Sequence, residues 1–578
     1  MSATTAEAEG EVLLADMGQC LPLEALSRQS QKQGTWMLYD YEAEGVQGTM
    51  VYGGAALNSP ALQLPLPARG LYRIYLACWH DIYGAGTSLR LKLKQDRFYR
   101  QIDPETLGSK DLKQAGDELM AGEAPRQWGA DSMSEVFWRV AELDGEVLTI
   151  DRVRTWLEPT IVAKASEHPA CLAWVRLVPA TRAEFDAYEG RGRTQKPRVQ
   201  FAMYDNGGWW QSGCRSEDDI RASLDWFRDT DLTKINWGCY SNEGCCYPSK
   251  VGVQMGREPE VTRCIDEFFR RGVDPMRVAC DYAAEIGLEL YPSFRIGGKR
   301  PAPTLPTTND MPFFDSHPHC LCIAEDGTPT PHYSFAYDEV RAFFVDLLVE
   351  AASNYDVPGV HFMFVRSNPF ALYEEKSIED FRGQHGKDPR TLPEDEPRWL
   401  QHRAQYLTQF IRQARRALDE VGRHKGRRVE LSVSVPADTG LVPYWAVDSL
   451  PWAREGLVDY LILHAGGAMS LENVHWFREQ LQGCKVPLVV DFYPRRMPAR
   501  ARFRRALEYY GAGADGFCFW DGQARVGRAS EFAWSRFLGH ADDLEDWVGL
   551  VGQDFREVKL RALQGYTLDR RYWTKTSG

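Results

Sequence analysis

GVHFMFVR, residues 359–366, sets Gly at its head, Arg at its end and one histidine inside an otherwise apolar run. Polar and apolar residues do not alternate along it, which suits a strand buried on both faces within a helix-covered parallel sheet. The SNP that follows (367–369) reads as a loop. Seven other stretches have the same build. They are VQFAMYDN (199–206), LTKINWGCY (232–240), GLELYPSFR (287–295), VELSVSVPA (429–437), VDYLILHA (458–465), PLVVDFYP (487–494) and GFCFWDG (516–522). Helical stretches lie between them, among them 258–287 and RWLQHRAQYLTQFIRQARRALDEVG (398–422). Eight strands with crossover helices predict a (β/α)8 TIM barrel over 199–540, with GVHFMFVR as its fourth strand. Two long segments, 296–337 and 367–397, follow the third and fourth strands, where barrels usually grip substrate.

The region before the barrel has another rhythm. GTWMLYDYEAEG (34–45), GLYRIYLACWHD (70–81), SLRLKLKQD (88–96), SEVFWRVAEL (134–143), EVLTIDRV (146–153) and CLAWVRLVP (171–179) are short strands, several of them alternating, with Gly or Pro in the gaps. They predict an antiparallel β-sandwich over 13–180. Such a module beside a barrel either binds carbohydrate or packs on its neighbour. Residues 1–12 are small and acidic and read as disordered. The polar segment 181–198 reads as a linker, and 541–578 as a helix and a tail.

The totals bound the partners. The 578 residues are 44% hydrophobic and 26% charged, and carry a net charge of −13. Such a chain is an ordinary globular protein of two or three domains. Its acidity argues against a nucleic-acid surface or an anionic membrane surface. No apolar run is long enough to span a bilayer, and the N-terminus lacks the pattern of a signal peptide. Thirteen cysteines, an odd number spread along the chain, predict reduced and mostly buried thiols and a cytoplasmic setting. Aromatic residues make up 12% of the chain, which fits sugar stacking as well as core filling. Association into a homo-oligomer is left open by the sequence, as is packing of the sandwich on its own barrel.

Barrel chemistry sits at the C-terminal ends of the strands. Polar residues there are Asp205 on strand one, Glu243, Tyr247 and Lys250 after strand two, Arg295 on strand three, and His361 and Arg366 on strand four. Asp438 follows strand five, His464 ends strand six, Asp491 and Tyr493 close strand seven, and Trp520 and Asp521 close strand eight. Glycoside cleavage needs two carboxyl groups. Strands seven, eight and one are neighbours in a closed barrel, so Asp491, Asp521 and Asp205 form one predicted acidic arc. By alternation Asp491 shares a face with Val489 and Tyr493, and Asp521 with Phe517 and Phe519. Which face points inward is not readable from the period. The segment DSHPHCLC (315–322) lacks the strand setting of a metal site, so no metal or cofactor is expected.

Several stretches together carry a family likeness. They are INWGCYSNEGCCYPSKVG (235–252), DPMRVACDYAAEIGLELYPSFRI (274–296), the segment from Ser316 to Arg366, EDFRGQHGKDPRTL (379–392), RWLQHRAQYLTQFIRQAR (398–415), WAREGLVDYLILHAG (452–466) and the closing GYTLDRRY (565–572). They resemble the glycosyl hydrolase-like family 10 proteins, which implies a barrel acting in carbohydrate breakdown. Relatives commonly carry acids on the fourth strand, in a pattern like G-[IV]-E-L-D-F-x-R. Here those two positions are His361 and Met363, while Arg366 keeps its place. A methionine cannot move a proton, so the family's acid does not carry over to this chain.

The leading expectation is a glycoside hydrolase acting on a carbohydrate substrate. Asp491 would serve as nucleophile or base, and Asp521 or Asp205 as acid. Arg295, Arg366, His361 and His464 would bind polar groups of the sugar, and Trp209, Trp210 and Trp520 would stack on its rings. A non-catalytic sugar-binding barrel is the first alternative. A metal-dependent lyase, isomerase or hydrolase using His361, His464, Asp491 and Asp205 is the second.

Overall fold

The computed structural model of the protein describes residues 10–30, 32–54, 57–79, 89–102, 132–152, 170–190, 196–205, 214–241, 244–255, 263–296, 312–365, 368–464, 469–493, 499–520, 522, 532–544 and 555–565.

All eight expected barrel strands form. They are β1 (Val199–Tyr204), β2 (Lys234–Ser241), β3 (Glu289–Arg295), β4 (Gly359–Met363), β5 (Glu430–Pro436), β6 (Tyr460–His464), β7 (Leu488–Asp491) and β8 (Gly516–Trp520). Each pairs in parallel with the next, and β1 pairs with both β8 and β2, which closes the barrel. The strands are buried on both faces, which is why their sequences read as continuous apolar runs. The outward set (Ile235, Leu290, Phe362, Val433, Leu463, Val490 and Phe517 among others) joins the large core shared with the helices. The inward set is smaller and includes Phe201, Met203, Tyr291, Met363, Ile462, Val489, Cys518 and Trp520.

The helices follow from local signals. Helix Pro397–Lys425 starts with Pro in its first turn and ends at Gly426, which adopts the left-handed φ of 68° that glycine accepts without strain. Its last turn carries Arg423, His424 and Lys425, opposite in charge to that end of the helix dipole. The helical stretch expected at 258–287 is two helices, Arg263–Arg270 and Pro275–Glu285. Gly272, at φ 71°, turns the chain between them, and the Asp274 carboxylate accepts from the amides of Met276 and Arg277 to start the second. The long segment after β4 contains helix Glu375–His385.

The N-terminal region is the expected sandwich. One sheet contains Arg69–Trp79, Ser132–Asp144 and Trp174–Pro179, and the other consists of Leu62–Pro65, Leu89–Leu93, Arg100–Ile102 and Val147–Arg152. Leu62, Leu64, Leu91, Leu148 and Ile150 of the smaller sheet face Tyr72, Ile74, Leu76, Val136 and Val175 of the larger across a common core. The larger sheet also packs on the barrel side of the chain. Phe137 meets Tyr188 edge-on, with ring centroids 6.0 Å apart, and both belong to the core that surrounds the strands. Arg97 reaches Glu285 at 2.8 Å, and Arg536 reaches the Tyr188 carbonyl at 2.8 Å.

Three boundaries differ from the sequence reading. The stretch expected as a linker opens with helix Arg182–Tyr188, fixed by a Thr181–Glu184 capping box and buried through Phe185 and Tyr188. Val12–Leu14, placed partly in the disordered start, pairs with Trp174–Pro179, whereas residues 1–9 lie outside the described residues. The C-terminal region contains an unexpected strand, Phe555–Leu563, inserted between Ser132–Asp144 and Trp36–Ala43 of the larger sheet. Most of the helix expected from 541 falls outside the described residues. Val558 to Ala562 alternate apolar and polar, but the partner strands lie more than four hundred residues earlier, so nothing local shows where this strand docks.

This strand carries Arg556 to within 3.4 Å of Glu135, a carboxylate only 1% exposed. Glu135 also accepts from the Trp174 indole at 2.6 Å and from Arg176 at 2.5 and 3.0 Å. Removing residues 555–578 should open two strand edges and take Val558, Leu560 and Leu563 out of the core. At about 1.5–3 kcal/mol per buried apolar side chain, the loss is on the order of 5 kcal/mol. The expected outcome is a lower melting temperature and early proteolytic nicking within 36–144, read by calorimetry and mass spectrometry.

Candidate active site

Closure of the barrel decides which strand-end residues can meet. Val489 points inward, so Asp491, two residues on, does too. Asp491 is fully buried, and its Oδ2 lies 2.8 Å from His464 Nδ1 on the neighbouring strand. Trp520, from β8, covers the imidazole with ring centroids 4.2 Å apart. On the other side of β8, Asp205 at the end of β1 is held by Arg295 of β3, whose Nη2 lies 2.5 and 2.6 Å from the two carboxylate oxygens. β2 runs between those strands. Beside Asp205 it carries Gly238, where a Cβ would stand 2.6 Å from the Tyr204 carbonyl oxygen and 3.3 Å from that of Asp205. The C-terminal end of the barrel therefore sets two acids beside basic side chains, Asp491 by His464 and Asp205 by Arg295, with Trp520 on the strand between them.

Below this level stands His361, paired in register with Ser293 and Ser432. It is fully buried, and its Nδ1 shares a hydrogen bond of 3.0 Å with Ser432 Oγ. Its Nε2 has no partner among the described residues. Burial lowers its pKa to about 3, so the ring is neutral through the ordinary pH range. Asn236 of β2 and Ser434 of β5, both fully buried, also have side-chain polar atoms without partners among the described residues. The inside of the barrel beneath the mouth thus has hydrogen-bonding capacity that the protein itself does not use. Toward the opposite end, Lys234 pairs with Glu289 while the Tyr291 hydroxyl donates to Glu430, which seals the N-terminal end of the barrel.

Several expected site residues sit elsewhere. Tyr247 is buried outside the strands, edge-on to Tyr355 at 5.9 Å, and the Lys250 amide is tied to Glu350 of helix Asp338–Asn354 at 2.6 Å. The loop after β2 therefore folds against the helix layer and does not bring these two to the mouth. Tyr493 belongs to the core between strands and helices, because the inward alternation of β7 ends at Asp491. Asp438 is exposed and accepts from the amides of Gly440 and Leu441, as a turn-forming aspartate does. Trp209, Trp210, Glu243, Arg366 and Asp521 lie outside the described residues. Phe517 and Phe519, which share a face with Asp521 by alternation, point outward to the helices. Of the four residues in the metal reading, His464 and Asp491 meet, whereas Asp205 faces Arg295 and His361 faces Ser432. No group of three or more His, Cys, Asp or Glu gathers as a ligand set among the described residues. Asn236, Ser432, Ser434 and Gly238 carry no local signal that places them inside. In a strand buried on both faces, no polar alternation marks which residues line the interior.

All thirteen cysteines are free thiols, eleven of them buried. No helix among the described residues is long and apolar enough to cross a membrane.

Residues 195–473 match the family model described as Glycosyl hydrolase-like 10, so the resemblance read from the sequence holds across most of the barrel. An S-layer-related protein of Niallia circulans is 25% identical over 219 residues, covering 32% of this chain and 13% of that protein. The chain therefore spans a small part of the curated relative it matches. Among solved structures, alpha-L-fucosidase isoenzyme 2 from Paenibacillus thiaminolyticus aligns at 12% identity over 61% of this chain and 50% of that one, with a TM-score of 0.41. The beta-amylase catalytic domain from Paenibacillus polymyxa aligns at 10% identity over 58% of this chain and 96% of that one, also at 0.41. The PgaB (BpsB) glycoside hydrolase domain from Bordetella bronchiseptica aligns at 13% identity over 56% and 94%, at 0.39. The fold is a closed (β/α)8 barrel, and the stretch 195–473 within the chain is similar to the glycosyl hydrolase-like family.

The buried histidine has a measurable consequence. Its folded pKa is about 3 against about 6.5 unfolded, so the unfolded chain takes up this proton first as pH falls. The stability this provides is complete above pH 6.5 and declines by about 1.4 kcal/mol per pH unit down to pH 3. Urea denaturation of His361→Gln at pH 7, 6 and 5 should show a shallower acid decline than wild type, by nearly that amount between pH 6 and 5 and about half of it between pH 7 and 6. A second substitution, Gly238→Ala, should force β1 and β2 apart and cost roughly 2 kcal/mol. A lower urea midpoint with an unchanged slope is the expected reading.

Proposed function

We propose that this chain is a glycoside hydrolase whose proton transfers occur at the β6–β7 side of the barrel mouth and not on β4. The observation that carries the reading is the buried Asp491 carboxylate, 2.8 Å from His464 Nδ1 beneath Trp520. With the carboxylate beside Nδ1, Nε2 is left to take or give a proton. Asp491 then acts through His464 as the base that activates the attacking group. Asp205, both of whose carboxylate oxygens accept from Arg295 Nη2, places negative charge at the mouth, where an oxocarbenium-like transition state carries positive charge. The substrate is an oligosaccharide or simple glycoside. This chemistry needs no metal from the protein.

The test is a panel of glycans incubated with pure protein and read by mass spectrometry for released sugar. Wild type should release sugar with or without chelator. Asp491→Asn and His464→Gln should each lower the rate by roughly 10²–10⁴-fold, the range of acid–base catalysis. Unchanged release in Asp491→Asn would sink the assignment.

A second reading, a sugar-binding barrel without hydrolysis, is favoured by one feature. His361 and Met363 stand where relatives carry acids, and both described mouth carboxylates are engaged by basic partners. It predicts binding by wild type with no release from any glycan.

A further inference from the structure

The sandwich has a face that its own packing does not use. In the smaller sheet Leu62, Leu64, Leu91, Leu148 and Ile150 turn inward, so the alternate residues form the outer face. Register places Gln63 opposite Thr149, and Thr149 opposite Lys92. Leu21 bridges to Gln63 at the edge and is 46% exposed. The neighbouring row sets Arg90 opposite Gln101. Cross-strand partners project on the same side, so these residues share one surface. Strands stand about 4.8 Å apart, so the row repeats on the scale of a single sugar ring.

The electrostatics of this face are unusual for a chain of net charge −13. Arg90 and Lys92 both lie over the ring of Tyr99, at 4.8 and 4.9 Å from its centroid. Neither cation makes an ion pair among the described residues. Asp151 stands opposite Arg90 in register but is buried. Asp96 holds Arg139, Glu146 accepts from the Lys94 amide, and the buried Asp151 accepts from the Arg152 amide. One ring therefore gathers two like charges, which repel each other until an anion arrives. Holding them in place beforehand also lowers the ordering cost of binding.

We propose that this outer face, across Gln63, Thr149, Lys92, Arg90 and Tyr99, binds a carboxylate-bearing polysaccharide. The two cations engage carboxylate groups along the chain. The Gln63 amide and the Thr149 hydroxyl bond to sugar hydroxyls, and Leu21 supplies an apolar contact at the edge. Tyr99 is a positioning residue that sets the two cations. This site is separate from the barrel mouth, and its ligand need not be the chain that the barrel cuts.

Affinity electrophoresis of the full-length protein tests the proposal, with polygalacturonate, a neutral β-glucan or single-stranded DNA cast in the gel. Polygalacturonate should retard wild type, and added salt should reduce the effect. The double variant Arg90→Gln/Lys92→Gln should bind roughly tenfold more weakly while keeping its melting temperature. Tyr99→Leu should weaken binding partway with both charges still present. Asp491→Asn should be retarded like wild type, so failure of the barrel assignment and failure of this site are separable. Unretarded wild type, undiminished retardation of the double variant, or equal retardation by DNA would each overturn the proposal.

Discussion

The architecture depends on one set of hydrogen bonds, those by which β1 pairs with β8 on one side and β2 on the other. They turn an open parallel sheet into a closed one, with no free edge and both faces covered. Once closed, every strand must send alternate residues inward, and a one-residue slip would exchange the two sets. Asp491 reaches the interior because Val489 does. It meets His464 because β6 and β7 are neighbours, and Trp520 covers the pair from β8. The second pair, Asp205 with Arg295, spans β2 at the position where that strand has no side chain.

The polar interior is layered by the same constraint. At the N-terminal end Lys234, Glu289, Tyr291 and Glu430 satisfy one another. At the mouth each acid again lies beside a basic side chain. Between them lies a neutral level with His361, Ser432 and Asn236. A charged carboxylate at the His361 position would be costly with no cation beside it, whereas a neutral imidazole bonded to a serine hydroxyl is tolerated. The environment of His361 thus needs no charge there, and the charged groups lie on other strands.

The ends of the chain are tied together by a different device. Phe555–Leu563 returns to the N-terminal sheet and lies between strands from the first quarter of the sequence. Helix Arg182–Tyr188, in the segment that reads as a linker, is packed through its aromatic residues into the core around the barrel. The sandwich is therefore joined to the barrel through buried aromatic contacts and ion pairs.

By itself the sequence determined the architecture. Eight apolar runs separated by helical stretches specify a closed α/β barrel, and alternating strands between Gly and Pro specify a sandwich, because burial on two faces or one leaves those patterns in the residues. It also marked His361 and Met363 as a departure from the family pattern. The pairings were decided by tertiary structure. A strand buried on both faces carries no polar alternation, so nothing local distinguishes the inward Asp491 from the outward-packed Tyr493, or marks Asn236 and Ser434 as interior residues. Nor does local sequence show that Asp205 closes on Arg295 across Gly238, or that FREVKLRAL completes a sheet begun more than five hundred residues earlier. Those relations join residues distant along the chain, and only closure of the barrel and assembly of the sheet bring them into contact.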